Sequence, residues 1–86
     1  MKVIIADSRN ITDYKLVADT IKSSGYDITE VISGCATGVD TLGEQWARMM
    51  NIPVIEMPAN WNQYGNKAGP IRNRDMARVA DAAVII

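Results

Sequence analysis

Three stretches of this 86-residue chain carry side chains that could meet a small anionic ligand. The richest is Ser33-Gly34-Cys35-Ala36-Thr37-Gly38-Val39-Asp40. Its small residues let a phosphate approach the backbone, and a helix starting behind it aims free N–H groups and a partial positive charge at the anion. The spacing matches neither G-x-G-x-x-G nor a Walker loop, so it points to no dinucleotide or P-loop chemistry. A tight strand-to-helix turn without a ligand reads the same way, and both readings stand. Asp40, in the first turn of that helix, suits capping as well as a ribose hydroxyl. Glu44 follows one turn later, so two carboxylates share a rim, and these are the candidates for acid–base duty. Glu44 also stands four residues before Arg48, the spacing of an ordinary solvated helix pair.

The second stretch is Asp7-Ser8-Arg9, where Arg9 stands either as a cation facing a phosphate or as a surface arginine. The third runs from Pro58 to Arg74. Arg72, Asn73 and Arg74 fall in what reads as the first turn of a helix, where cations oppose the helix dipole and so suggest a compensating anion. Arg78, further along, reads as a solvated residue. Trp61 and Tyr64 lie in a polar stretch, placed either to stack on a base or to plug the loop onto the domain. Cys35 precedes a helix N-terminus, a setting that lowers a thiol pKa. Without a second Cys or any His it reads as a small turn residue. Met50, Met57 and Met76 read as core filler.

Composition narrows the chemistry. Histidine is absent and Cys35 is the one cysteine, so zinc sites built from His and Cys, His-based triads and internal disulfides are excluded. No metal and no resident cofactor is expected. The net charge is −1, which gives no basic field for holding duplex nucleic acid. Apolar residues make up 48% of the chain, enough for a packed core in a single domain spanning residues 1–86. The opening apolar run, from Met1 to Ala6, is too short for a signal peptide or a membrane span. A cytoplasmic protein is the expectation.

The elements that must position these residues follow from periodicity. Val3 to Ala6 reads as a strand buried on both faces. Tyr14, Val17, Ala18 and Ile21 form a helix stripe between Thr12 as N-cap and Gly25 as C′. Val31-Ile32-Ser33 is a second strand. Val39, Leu42, Gly43, Trp46, Ala47 and Met50 form the strongest helix stripe, opened by a Thr37–Asp40 capping box. Pro53 to Met57 is a third strand and Pro58 to Gly69 a long polar loop. Pro70 fits position N1 of a third helix reaching about Ala80, and Ala82 to Ile86 is a fourth strand. Strands alternating with helices predict a parallel, three-layer α/β sheet in order 3-2-1-4. Such a sheet binds ligands outside the carboxyl ends of its strands, which is where all three stretches fall.

At these residues the chain resembles the SLOG superfamily, specifically its small YspA/YpsA-related family of bacteria and phages. The resemblance rests on Val3-Ile4-Ile5-Ala6 with Ser8-Arg9, and on Ser33-Gly34 with Ala36, Gly38-Val39-Asp40, Glu44 and Trp46-Ala47. It continues through Ile52-Pro53-Val54, Trp61, Tyr64-Gly65 and Ala68-Gly69-Pro70-Ile71-Arg72-Asn73-Arg74 with Met76. It implies a Rossmann-like fold and a pocket for a nucleotide-derived molecule, lined by Ser8, Arg9, Ser33, Gly34, Gly38, Asp40, Arg72 and Asn73. Related proteins include the DNA-processing protein A and the cytokinin phosphoribohydrolases. Asp7 and Cys35 stand where the family favours glycine, and Thr37 where it often has arginine. The family normally continues past the fourth strand into a glycine-rich turn and a helix, so a minimal or truncated form of the fold is expected here.

The functional expectation is a binding module that captures a nucleotide derivative, as a sensor or a sequestering protein. A hydrolase acting on the N-glycosidic or phosphate bond of a nucleoside phosphate, with Asp40 or Glu44 assisting, is the second reading. Single-stranded DNA binding is the third, and the acidic balance argues against it. An apolar fourth strand at the sheet edge predicts a homo-oligomer.

Overall fold

The computed structural model describes residues 1–6, 13–35 and 39–86, with backbone alone for 39–41. Four strands, β1 (Lys2–Ala6), β2 (Glu30–Ser33), β3 (Val54–Glu56) and β4 (Ala82–Ile85), form one sheet in the order β3-β2-β1-β4. All three pairings are parallel, with Val3 beside Val31 and Ala82, and Val31 beside Val54. The predicted order 3-2-1-4 is therefore the observed one.

Period-2 alternation sorts the strands onto two faces. Val3, Ile5, Val31 and Val84 are buried with Val17 and Ile21 of α1 (Tyr14–Ser24) and Ala47 of α2 (Val39–Met49). Gly43 brings α2 down onto β1, because a Cβ there would stand 3.0 Å from Ile5 Cγ2. The opposite face carries Ile4, Ala6, Ala83 and Ile85, and the last helix, α4, lies along it. The crossover after β3 must reverse direction to reach β4, so its helix falls on the other side of the sheet.

Apart from shifts of a single residue at the strand ends, three boundaries differ from the sequence reading. Asp13, not Thr12, caps α1: its carboxylate accepts from the Leu16 N–H at 3.2 Å. Thr12 itself lies outside the described residues, as does Thr37 of the expected capping box. The stretch expected to be a polar loop is helical for much of its length, with α3 at Trp61–Tyr64 and a 3-10 turn at Gly65–Lys67 leading into α4 at Ala68–Val79. Asn60 supplies the start signal, accepting from the Gln63 N–H at 3.1 Å through its side chain. Because α4 begins at Ala68, Pro70 is its third residue, still among the first-turn positions whose N–H has no partner within the helix. Arg72 becomes the fifth residue and leaves the first turn.

Gly25 ends α1 in the left-handed conformation, φ 73°, as expected. α2 ends on Asn51 at φ 56°, with Ile52 N–H bonded to Ala47 O at 2.7 Å and Asn51 N–H to Arg48 O at 3.2 Å. That is a Schellman closure, and it turns Met50 outward. Met50 is 58% exposed, so it is not core filler, whereas Met76 at 6% is. Among the described residues no helix is long and apolar enough to cross a membrane.

Candidate functional site

The site builds from the carboxyl end of β2. Ser33 is buried, and its hydroxyl points into the domain, donating to Glu44 Oε1 at 2.6 Å and accepting from the Cys35 N–H at 3.1 Å. Cys35 itself stands at φ 60°, a left-handed conformation uncommon outside glycine. Glu44 is therefore engaged from both sides, with Arg48 Nη2 at 3.7 Å from its other oxygen. The Glu44–Arg48 pair expected from spacing is present. The Cys35 thiol is pushed up from its ordinary value by packing around the sulfur, then by the carboxylates of Glu56 and Glu44. A helix start nearby does not reverse this, and the thiol is not an activated one.

Gly34 follows, and Arg72 reaches it from α4. Arg72 Nη1 donates to Gly34 O at 2.7 Å, and its Nε donates to Asn73 Oδ1 at 2.9 Å. Contact across 38 positions of sequence brings two expected site residues together. A Cβ on Gly34 would stand 2.7 Å from Arg72 Nη1, so the guanidinium lies directly over the glycine. A cleft of about 230 Å³ opens beside them. Its floor is the cross-strand pairs Ile4–Ala83 and Ala6–Ile85, and its wall is Arg72, Asn73 and Met76 of α4. Nothing in the sequence reading singled out the floor. Two apolar strands with small residues at Ala6 and Ala83 were the available signal, and only their register sets each gap beside an isoleucine, on a diagonal of the floor.

Trp61 and Tyr64 do not line this cleft. Trp61 is 60% exposed, with its ring edge 3.6 Å from the Cβ position of Gly69. A separate open hollow lies beside it, bounded by Pro58, Asn60 and Asn62. Asp7, Ser8, Arg9 and Gly38 lie outside the described residues. Asp40 falls in the first turn of α2 by its backbone, and its side chain is not described. A larger groove of about 550 Å³ runs between α1 and α2, lined by Ile21, Ile28, Trp46 and Ile52. Ile28 and Ile52 precede β2 and β3, so it lies at the amino ends of those strands, away from the positions where an α/β sheet holds its ligand.

Residues 1–64 match the family model described as the YspA, cpYpsA-related SLOG family. The chain belongs to that family. Its parallel sheet in order 3-2-1-4 is the Rossmann-like arrangement of SLOG proteins, a fold associated with nucleotide-related ligands. The Gene 61 protein of Mycobacterium phage D29 is 33% identical over an 86-residue alignment that covers 90% of this chain and 68% of that protein. No solved structure matches the chain. The family match ends before α4, so Arg72 and Asn73 reach the SLOG strand ends from a part of the chain beyond it.

Proposed function

We propose that the protein binds a nucleotide or nucleotide-derived small molecule at the carboxyl ends of β1, β2 and β4, as a sensor or sequestering module. The observation that carries this reading is the Arg72 guanidinium lying over Gly34, at 2.7 Å from its carbonyl, on the wall of a cleft at the strand ends. Two of the five guanidinium N–H groups serve Gly34 and Asn73, and among the described residues the others have no partner. They suit the oxygens of a phosphate or a ribose. SLOG membership supports the same ligand class.

The test is calorimetric titration with a panel of nucleotides, using Arg72→Ala against Arg78→Ala. Arg78 is six residues further along α4, about 9 Å at 1.5 Å per residue, and exposed. A charge-assisted contact contributes roughly 1.5–3 kcal/mol, so Arg72→Ala weakens binding about 10- to 150-fold. Arg78→Ala changes it less than about threefold by the same conversion. Equal affinities for the two variants would remove Arg72 from the site. Assay of the same mixtures for free base or phosphate separates binding from hydrolysis.

A further inference from the structure

Among the described residues, the polar side-chain groups left free on the wall of the cleft beside Arg72 are N–H donors, set over an apolar floor, and that combination selects a ligand. Arginine has no acceptor atom, so the bond from Arg72 Nε requires that Asn73 present its carbonyl oxygen to the guanidinium. The Asn73 amide is thereby oriented, and its NH₂ is left to donate. Among the described residues that NH₂ has no partner. The remaining guanidinium N–H groups are donors too, and the Gly34 carbonyl already accepts from Arg72. Opposite them stand Ile4, Ala6, Ala83 and Ile85, which offer no polar side-chain atom, and Met76 beside them on α4 adds only a thioether.

Size sharpens the choice. At about 230 Å³ the cleft is smaller than the ~300–1,000 Å³ of pockets that enclose drug-sized ligands. It has room for one flat ring system laid on the sheet between β4 and α4, with the rest of the ligand outside the cleft. An acceptor-bearing edge must face Arg72 and Asn73.

Resting on the nucleotide-binding reading, we infer that this cleft takes the base, and that it prefers a ring whose exposed edge is an oxygen acceptor, a 6-oxopurine, over one bearing an amino group, a 6-aminopurine. An amino group in that place would set donor against donor and forfeit the hydrogen bond that the oxo group makes, which is how a site discriminates against a near-isosteric ligand. A phosphate offers the same acceptor oxygens, so the experiment must separate ring from phosphate.

Inosine 5′-monophosphate, adenosine 5′-monophosphate, inosine and ribose 5-phosphate are titrated calorimetrically into the full chain. Inosine monophosphate binds about tenfold or more tighter than adenosine monophosphate, the ratio expected for one hydrogen bond to a donor wall lost and replaced by a clash. Inosine retains measurable binding and ribose 5-phosphate binds more weakly than the monophosphate. Ala83→Leu, which fills the floor at an exposed position, lowers the affinity for inosine monophosphate and leaves ribose 5-phosphate unchanged. Asn73→Asp, which removes the NH₂, erases the preference for the oxo ring even if the leucine variant fails to fold. Equal affinity for the two monophosphates overturns the selectivity, and ribose 5-phosphate binding as tightly as inosine monophosphate overturns the placement of the ring. Binding of none of the four sinks the nucleotide reading itself, and this inference with it.

Discussion

Arg72 is the residue on which site and fold meet. Read as a first-turn cation, it would oppose its own helix dipole, and its loss would cost the fold little. As the fifth residue of α4 it instead satisfies the half-buried Gly34 carbonyl. Arg72→Ala therefore destabilises the protein as well as weakening binding. An unsatisfied buried acceptor costs about 1–3 kcal/mol, and partial access to water places this one near the lower end. Urea unfolding monitored by circular dichroism measures it, and an unchanged midpoint would show that the bond contributes nothing. Cys35 yields a second residue-scale prediction. Its thiol is raised above the ordinary 9.0, first by desolvation and then by Glu56 and Glu44, so the folded protein favours the neutral form. The sign follows: the stabilisation is complete below the ordinary thiol value and is lost as pH rises through the raised one. Alkylation of Cys35 by iodoacetamide at pH 8 is accordingly slower in the native protein than in urea. Native labelling as fast as unfolded labelling would contradict the raised value.

At the scale of elements, α2 packs closely on β1 through Gly43. Alanine at position 43 improves helix propensity by about 1 kcal/mol, yet its Cβ falls 3.0 Å from Ile5 Cγ2 and 3.2 Å from Ile5 Cβ. Ile5 is 1% exposed and has nowhere to move. Overpacking of this kind costs about 1–3 kcal/mol, so Gly43→Ala lowers the melting temperature despite the better helix former. A rise in melting temperature would mean that α2 can slide along the sheet. The segment between β3 and α4 shows why its helices were hard to read. α3 buries no residue and spans a single turn, so it leaves no apolar stripe for periodicity to detect. Asn60 three residues before Gln63 was a legible cap, overshadowed by the Pro, Asn and Gly around it.

On the scale of the whole molecule, the two sheet edges are unlike. β3 is three residues long, carries Glu56 and is flanked by Pro53 and Pro58, all devices that discourage further pairing. β4 has four apolar residues, no charge and no proline, and Ile85 on it is 75% exposed. We propose that β4 pairs with β4 of a second copy, which would also close the outer side of the cleft that Ile85 lines. Light scattering at micromolar concentration then reports twice the 9.4 kDa chain mass, and Ile85→Lys returns it to 9.4 kDa. Wild-type protein measured at 9.4 kDa alone removes the proposal.

The sequence by itself determined the class, order and direction of the elements. Apolar runs at Val3–Ala6 and Val31–Ser33 and the stripes through Val17 and Ala47 are local patterns. Right-handed crossovers then leave few topologies, of which 3-2-1-4 is the observed one. It also marked Gly34, Arg72 and Asn73, residues that the fold brings to one cleft. Tertiary structure alone decided what those residues do. Ser33 carries a hydroxyl suited to a ligand, but its alternation in β2 turns it inward to Glu44. Cys35 sits at φ 60°, the region glycine enters without cost. Arg72 meets Gly34 across 38 positions, and Ile4 meets Ala83 across the sheet. Local patterns record which face a residue presents. They do not record which distant backbone atom it will find there, because that depends on how far α4 starts before its proline and on the register of β1 with β4.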